Sequence, residues 1–88
     1  MAQIDKLLQR LVTESDAAFS FDEIVRILRA LGFSERIHGG HHIFRRSGLR
    51  EIVNLQPRSD GSAKYYQVRQ VRRLVVNYHL WRFDDDEV

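Results

Sequence analysis

A chain of 88 residues with 43% hydrophobic side chains and no cysteine holds one domain with one modest core, which excludes a two-domain enzyme with a large cleft, a disulfide framework and a thiolate metal site. No apolar run approaches the ~18 residues of a membrane span, and Met1-Ala2-Gln3-Ile4-Asp5-Lys6 lacks the charged-then-apolar order of a signal peptide, so a soluble, cytoplasmic protein with no membrane partner is expected. The net charge of +2 divides into −2 over residues 1–35, +8 over residues 36–83 and −4 over residues 84–88, so the middle of the chain has the footprint of a polyanion binder.

Ile4, Leu7, Leu8, Leu11 and Val12 recur at helical spacing and predict an amphipathic helix over residues 3–13. Ser20 followed by Glu23 is a capping box, and Phe19 before it can staple onto Ile24, so a second helix starts at Phe21. Its apolar stripe is Ile24, Ile27, Leu28 and Leu31, and Gly32 stands where a left-handed stop is expected. Short extended runs then alternate with glycine: residues 35–38, 41–46 and 51–55 read as three strands, with Gly39-Gly40 closing a tight hairpin and Ser47-Gly48 marking the next reversal. Residues 56–63 have loop composition, and a last helix runs from about Tyr66 to Tyr78, with Val68, Val71, Leu74, Val75 and Tyr78 on one face and Arg69, Arg72 and Arg73 mostly off it.

The expected fold is α+β: a three-stranded antiparallel meander with helices on one face and the opposite sheet face open to a ligand. Strand alternation sends His41 and Phe44 to opposite faces. With the larger aromatic inside, His41, Ile43 and Arg45 face out while His42 and Arg46 share the side of Phe44; a register with Ile43 inside exposes His42 instead. An exposed imidazole beside arginines suits RNA cleavage, in which a base takes the 2′-hydroxyl proton and cations stabilise the charged phosphorane. Gly39 and Gly40 let a phosphate backbone approach closely. Twelve of the fourteen basic residues are arginine, which suits phosphate contacts. Lys64 and Arg69 add cations near the start of the last helix. Tyr65 and Tyr66 are expected to pack on the sheet, Trp81 and Phe83 to close the core, and His79 to sit near the end of the last helix, beside the negative end of its dipole.

The stretch from Phe21 to about Leu80 resembles the HicA family of toxins from bacterial toxin-antitoxin modules. The resemblance rests on Leu31-Gly32-Phe33, Gly39-Gly40-His41, Phe44, Arg45-Arg46, the run Glu51 to Pro57, and Tyr66-Gln67-Val68-Arg69. It implies a double-stranded-RNA-binding-domain-like fold, mRNA cleavage without a metal or cofactor, and inhibition by a HicB-like antitoxin on a separate chain that covers the active histidine. That histidine maps onto His41, with His42 as the neighbouring alternative. Gly39, Gly40, Arg45, Arg46, Lys64 and Arg69 are the RNA-binding candidates. Gly40 stands where the family more usually has serine, and residues 1–18 form a helical extension that the family pattern does not require, ahead of a domain over residues 19–83 and an acidic tail over residues 84–88.

Three rival readings belong beside this one. His38, His41 and His42 cluster around one turn and suggest a metal site, but alternation separates His41 from His42 and zinc wants three or four ligands. The basic surface serves a non-catalytic RNA-binding module equally well, and the open face could instead serve a protein partner.

Overall fold

A computed structural model describes residues 3–14 and 18–81. The elements are α1 (Gln3–Thr13), α2 (Phe21–Ala30), β1 (Ser34–His38), β2 (His41–Arg45), β3 (Val53–Leu55) and α3 (Tyr65–Asn77). The sheet is an antiparallel meander in the order β1-β2-β3. This is the α+β architecture expected, consistent with a double-stranded-RNA-binding-like fold carrying an additional N-terminal helix.

Local chemistry fixes both ends of α2. The Ser20 hydroxyl accepts from the Glu23 backbone N–H, and the Glu23 carboxylate accepts from the Ser20 N–H, both at 3.0 Å, which satisfies two otherwise orphaned donors. Phe19 and Ile24 are buried on either side of this cap, as a hydrophobic staple requires. At the other end Gly32 adopts φ +90°, its N–H donating to Arg29 O and that of Phe33 to Leu28 O, a Schellman stop. Glycine meets no Cβ penalty there.

One core joins the layers. Phe44, Val53 and Leu55 point from the sheet into the same cluster as Ile24, Ile27 and Leu28 of α2 and Val68, Val71, Leu74 and Val75 of α3. Phe44 is fully buried, so Ile43 is not the core residue of β2 and the register with the aromatic inside is the one adopted. Truncating Phe44 to alanine would cost about 3–5 kcal/mol. α1 packs chiefly on α2 and α3 and brings Leu8 and Leu11, both fully buried, into this core. Polar contacts hold it at each end: Trp81 Nε1 donates to Asp5 Oδ1 at 2.9 Å, and Arg72 of α3 donates to the carbonyls of Leu11 at 2.6 Å and Glu14 at 3.3 Å. The Arg72 guanidinium thereby satisfies carbonyls that α1 leaves open at its C-terminus.

Several expectations need correction. Tyr65 and Tyr66 do not pack on the sheet; they are 59% and 62% exposed. At roughly 100° per residue both fall off the stripe centred on Val71, while Gln67 falls on it and is buried. Tyr78, placed on the apolar face by spacing, is exposed because it is already the C-cap, and its hydroxyl donates to Glu51 at 2.6 Å. His79 does sit near the end of the last helix, directly after the Tyr78 C-cap, in a left-handed conformation with φ +51°. The third strand starts at Val53 rather than Glu51, because its pairing with β2 begins at Phe44 opposite Val53. Phe83 and the acidic tail lie outside the described residues.

Candidate active site on the open sheet face

The two-residue turn Gly39-Gly40 has φ +54° and +88°, the doubly left-handed conformation that matches the twist of a hairpin and is nearly reserved for glycine. It fixes the β1–β2 register: His38 lies opposite His41, Arg36 opposite Ile43 and Ser34 opposite Arg45, while Asn54 of β3 lies opposite Ile43 on its other side. Cross-strand partners share a face. The face turned away from Phe44, Val53 and Leu55 therefore carries Ser34, Arg36, His38, His41, Ile43, Arg45 and Asn54. Ser34, Arg36, Ile43 and Arg45 of this face border a shallow groove.

His41 is exposed, and its Nδ1 lies 3.1 Å from Asn54 Oδ1. An amide oxygen only accepts, so this contact places the ring proton on Nδ1 and leaves Nε2 as the lone-pair nitrogen of the neutral ring. His42 faces the other way. Its Nδ1 donates to Glu35 Oε2 at 2.7 Å, and its ring meets that of Phe21 edge-on at 4.8 Å. Glu35 also accepts from Arg29 of α2, and these two hydrogen bonds, that from His42 the larger, hold its carboxyl below the usual carboxylate range. Arg29, Glu35 and His42 thus clasp α2 to the first two strands. Glu35 is the carboxylate among the strand residues, and it is on the helix side, so the strands give the open face cations only.

The remaining candidates separate. Gly39 and Gly40 are exposed at the hairpin end beside His41, with nothing within 4 Å of the direction a side chain would take. Arg45 is exposed on the open face, whereas Arg46, one residue on, is half-buried with its Nε near Gly32. Lys64 and Arg69 belong to the helix layer: Lys64 is the N-cap of α3, without a side-chain hydrogen bond to the helix, and the Arg69 guanidinium lies over the Tyr65 ring at 4.9 Å. Among the described residues no group of three or more histidine, cysteine, aspartate or glutamate side chains stands where it could hold a metal ion. Sequence reasoning missed Arg36 and Asn54 as members of the face. Both were within reach, Arg36 from the register a two-residue turn imposes and Asn54 from its place between two core residues.

The family model of the HicA toxin of bacterial toxin-antitoxin matches residues 21–75. The chain belongs to the HicA toxin family. The match runs from the first residue of α2 into α3, so all three strands and every candidate residue fall inside the HicA segment, while α1 precedes it. Membership makes this chain the toxin component of a toxin-antitoxin module, with an antitoxin as its partner. No helix among the described residues is long and apolar enough to cross a membrane. No curated protein and no solved structure matches the chain.

Proposed function

We propose that this HicA-family toxin is an endoribonuclease that cleaves mRNA without a metal, with His41 as general base, and that a HicB-like antitoxin restrains it by covering that histidine. RNA lies across the open sheet face. Arg45 and Arg36 neutralise its phosphates, and the Gly39-Gly40 turn lets the backbone come close to the imidazole. The observation that carries the reading is the environment of His41: exposed on a cationic face, with Nδ1 against Asn54 Oδ1, a contact that leaves Nε2 as the nitrogen for the chemistry. Held in that tautomer, Nε2 can take the 2′-hydroxyl proton as the oxygen attacks the adjacent phosphorus, while the arginines offset charge developing on the phosphorane. Arg46, Lys64 and Arg69 lie off this face and in this reading contribute little to holding the RNA.

His42 with Glu35 is also a histidine oriented by a carboxylate, which keeps it as the alternative base. Cleavage of a labelled single-stranded RNA in EDTA by wild type, His41→Ala and His42→Ala, with binding followed in parallel, tests the proposal. Loss of cleavage in His41→Ala with binding intact is the expected result. Loss in His42→Ala alone moves the base by one residue. Binding without cleavage by the wild type leaves an RNA-binding module in place of a nuclease.

A further inference from the structure

A base alone does not complete this reaction, because the departing 5′-oxygen needs a proton as its bond to phosphorus breaks. Resting on the ribonuclease reading above, we propose that His38 is the general acid, paired with His41 across the Gly39-Gly40 turn. The register sets the two histidines directly opposite each other on the open face. Directly opposed residues have Cβ atoms about 4.5–5.5 Å apart. Two imidazoles on such a base splay far enough to bracket one phosphate, one at the attacking oxygen and the other at the leaving oxygen. His41 is held by Asn54 of β3, on the far side of β2 from His38. His38 is exposed, and among the described residues it enters no hydrogen bond or ion pair that would hold its ring nitrogens back.

The proton balance closes with these two groups. The 2′-hydroxyl proton passes to His41 Nε2, the 2′-oxygen forms a bond to phosphorus, the bond from phosphorus to the 5′-oxygen breaks, and that oxygen takes a proton from the His38 imidazolium. The products are a 2′,3′-cyclic phosphate and a 5′-hydroxyl, and exchange with water returns the pair to its starting protonation. Histidine is suited to both roles because its two protonation states coexist near neutral pH. The charged groups that share the face are Arg36 of β1 and Arg45 of β2, while β3 offers the neutral Asn54. The carboxylate of β1, Glu35, is turned to the other face and engaged by His42 and Arg29. No strand carboxylate is therefore placed to act as the acid.

The test compares wild type, His38→Ala and His41→Ala on an RNA cut by the wild type and on the same RNA with sulfur in place of the 5′-oxygen at the cut linkage. A thiolate leaves without protonation. His38→Ala should cut the ordinary RNA on the order of 10²- to 10⁴-fold more slowly, with unchanged binding, and come within about 10-fold of wild type on the sulfur substrate. His41→Ala should stay slow on both. Removing the acid should also abolish the fall in rate on the alkaline side of the pH profile. His38→Ala cutting ordinary RNA at the wild-type rate, or slowed equally on both substrates, overturns the assignment and leaves the nuclease reading standing. A wild type that cuts no RNA in the preceding assay overturns both.

Discussion

Asn54 reaches His41 diagonally: its backbone partner is Ile43, yet its Oδ1 lies 3.1 Å from the Nδ1 of His41. An apolar residue in its place would leave the imidazole free to rotate and to carry its proton on either nitrogen. Asn54→Ala is expected to lower the cleavage rate on the order of 10- to 100-fold, as when other partners that fix a histidine tautomer are removed, while RNA affinity changes less than about 2-fold. Single-turnover rates beside binding titrations measure both. An unchanged rate would mean that the Asn54 side chain has no part in the chemistry.

Arg45 and Arg36 should act on affinity instead. Removing one cation that neutralises a phosphate lowers the slope of log affinity against log salt by about 0.7 for single-stranded RNA. Arg45→Ala and Arg36→Ala should each reduce the slope by about that amount between 50 and 200 mM salt, across RNA sequences alike. Arg69→Ala, on the helix layer, should leave it nearly unchanged. A reduction in Arg69→Ala equal to that in Arg45→Ala would put the RNA on the helices.

Glu35 ties His42 and Arg29 together, and its lowered carboxyl pKa makes this clasp dependent on acid. A depressed folded-state pKa contributes stability that is fully present above the unfolded carboxylate value, near 4.5, and is lost as pH falls toward the folded value. Glu35→Gln should therefore destabilise the protein at pH 7, by about 1–2 kcal/mol once solvent screening of the exposed Arg29 is allowed for. The difference from wild type should shrink on acidification below pH 4. Urea melts at pH 7 and pH 3.5 read both values, and a constant gap would show that the charge of Glu35 is not what matters.

His79 stands in the left-handed region just beyond the Tyr78 cap, at φ +51°. A non-glycine residue there costs roughly 1 kcal/mol. His79→Gly should raise stability by up to about that amount, offset in part by the extra freedom of glycine in the unfolded chain. Thermal melting of the variant measures it, and no gain would mean that the His79 side chain makes a compensating contribution.

What the sequence made legible follows the range of the interaction. Ser20, Glu23 and Gly32 marked the ends of α2 because caps are local chemistry. Phe44 set the strand faces because burial of the larger aromatic outweighs that of Ile43. The Glu35–His42 pair was not legible: seven residues separate the partners, and their meeting depends on the hairpin register and on Arg29 and Phe21 closing in from α2. Arg72 was expected only to lie off the apolar face of the last helix, and its bond to a carbonyl 61 residues away in the chain was not legible. Asn54 lay inside the third predicted strand, and nothing in its neighbours pointed to a histidine on β2.

The Gly39-Gly40 turn has a consequence for how this chain can vary. Every histidine near the candidate chemistry stands within three residues of it, and side chains exchange faces with each single-residue step along a strand. One residue inserted between Gly40 and His41, with Phe44 still anchored in the core, would leave His41 on the open face but spoil its alignment with His38. One inserted between His42 and Phe44 would turn His41 inward and bring His42 out. Length changes in this hairpin are therefore far more consequential than in the loop over residues 56–63, and an adjacent pair of histidines gives the fold a spare imidazole for the second kind of change but none for the first.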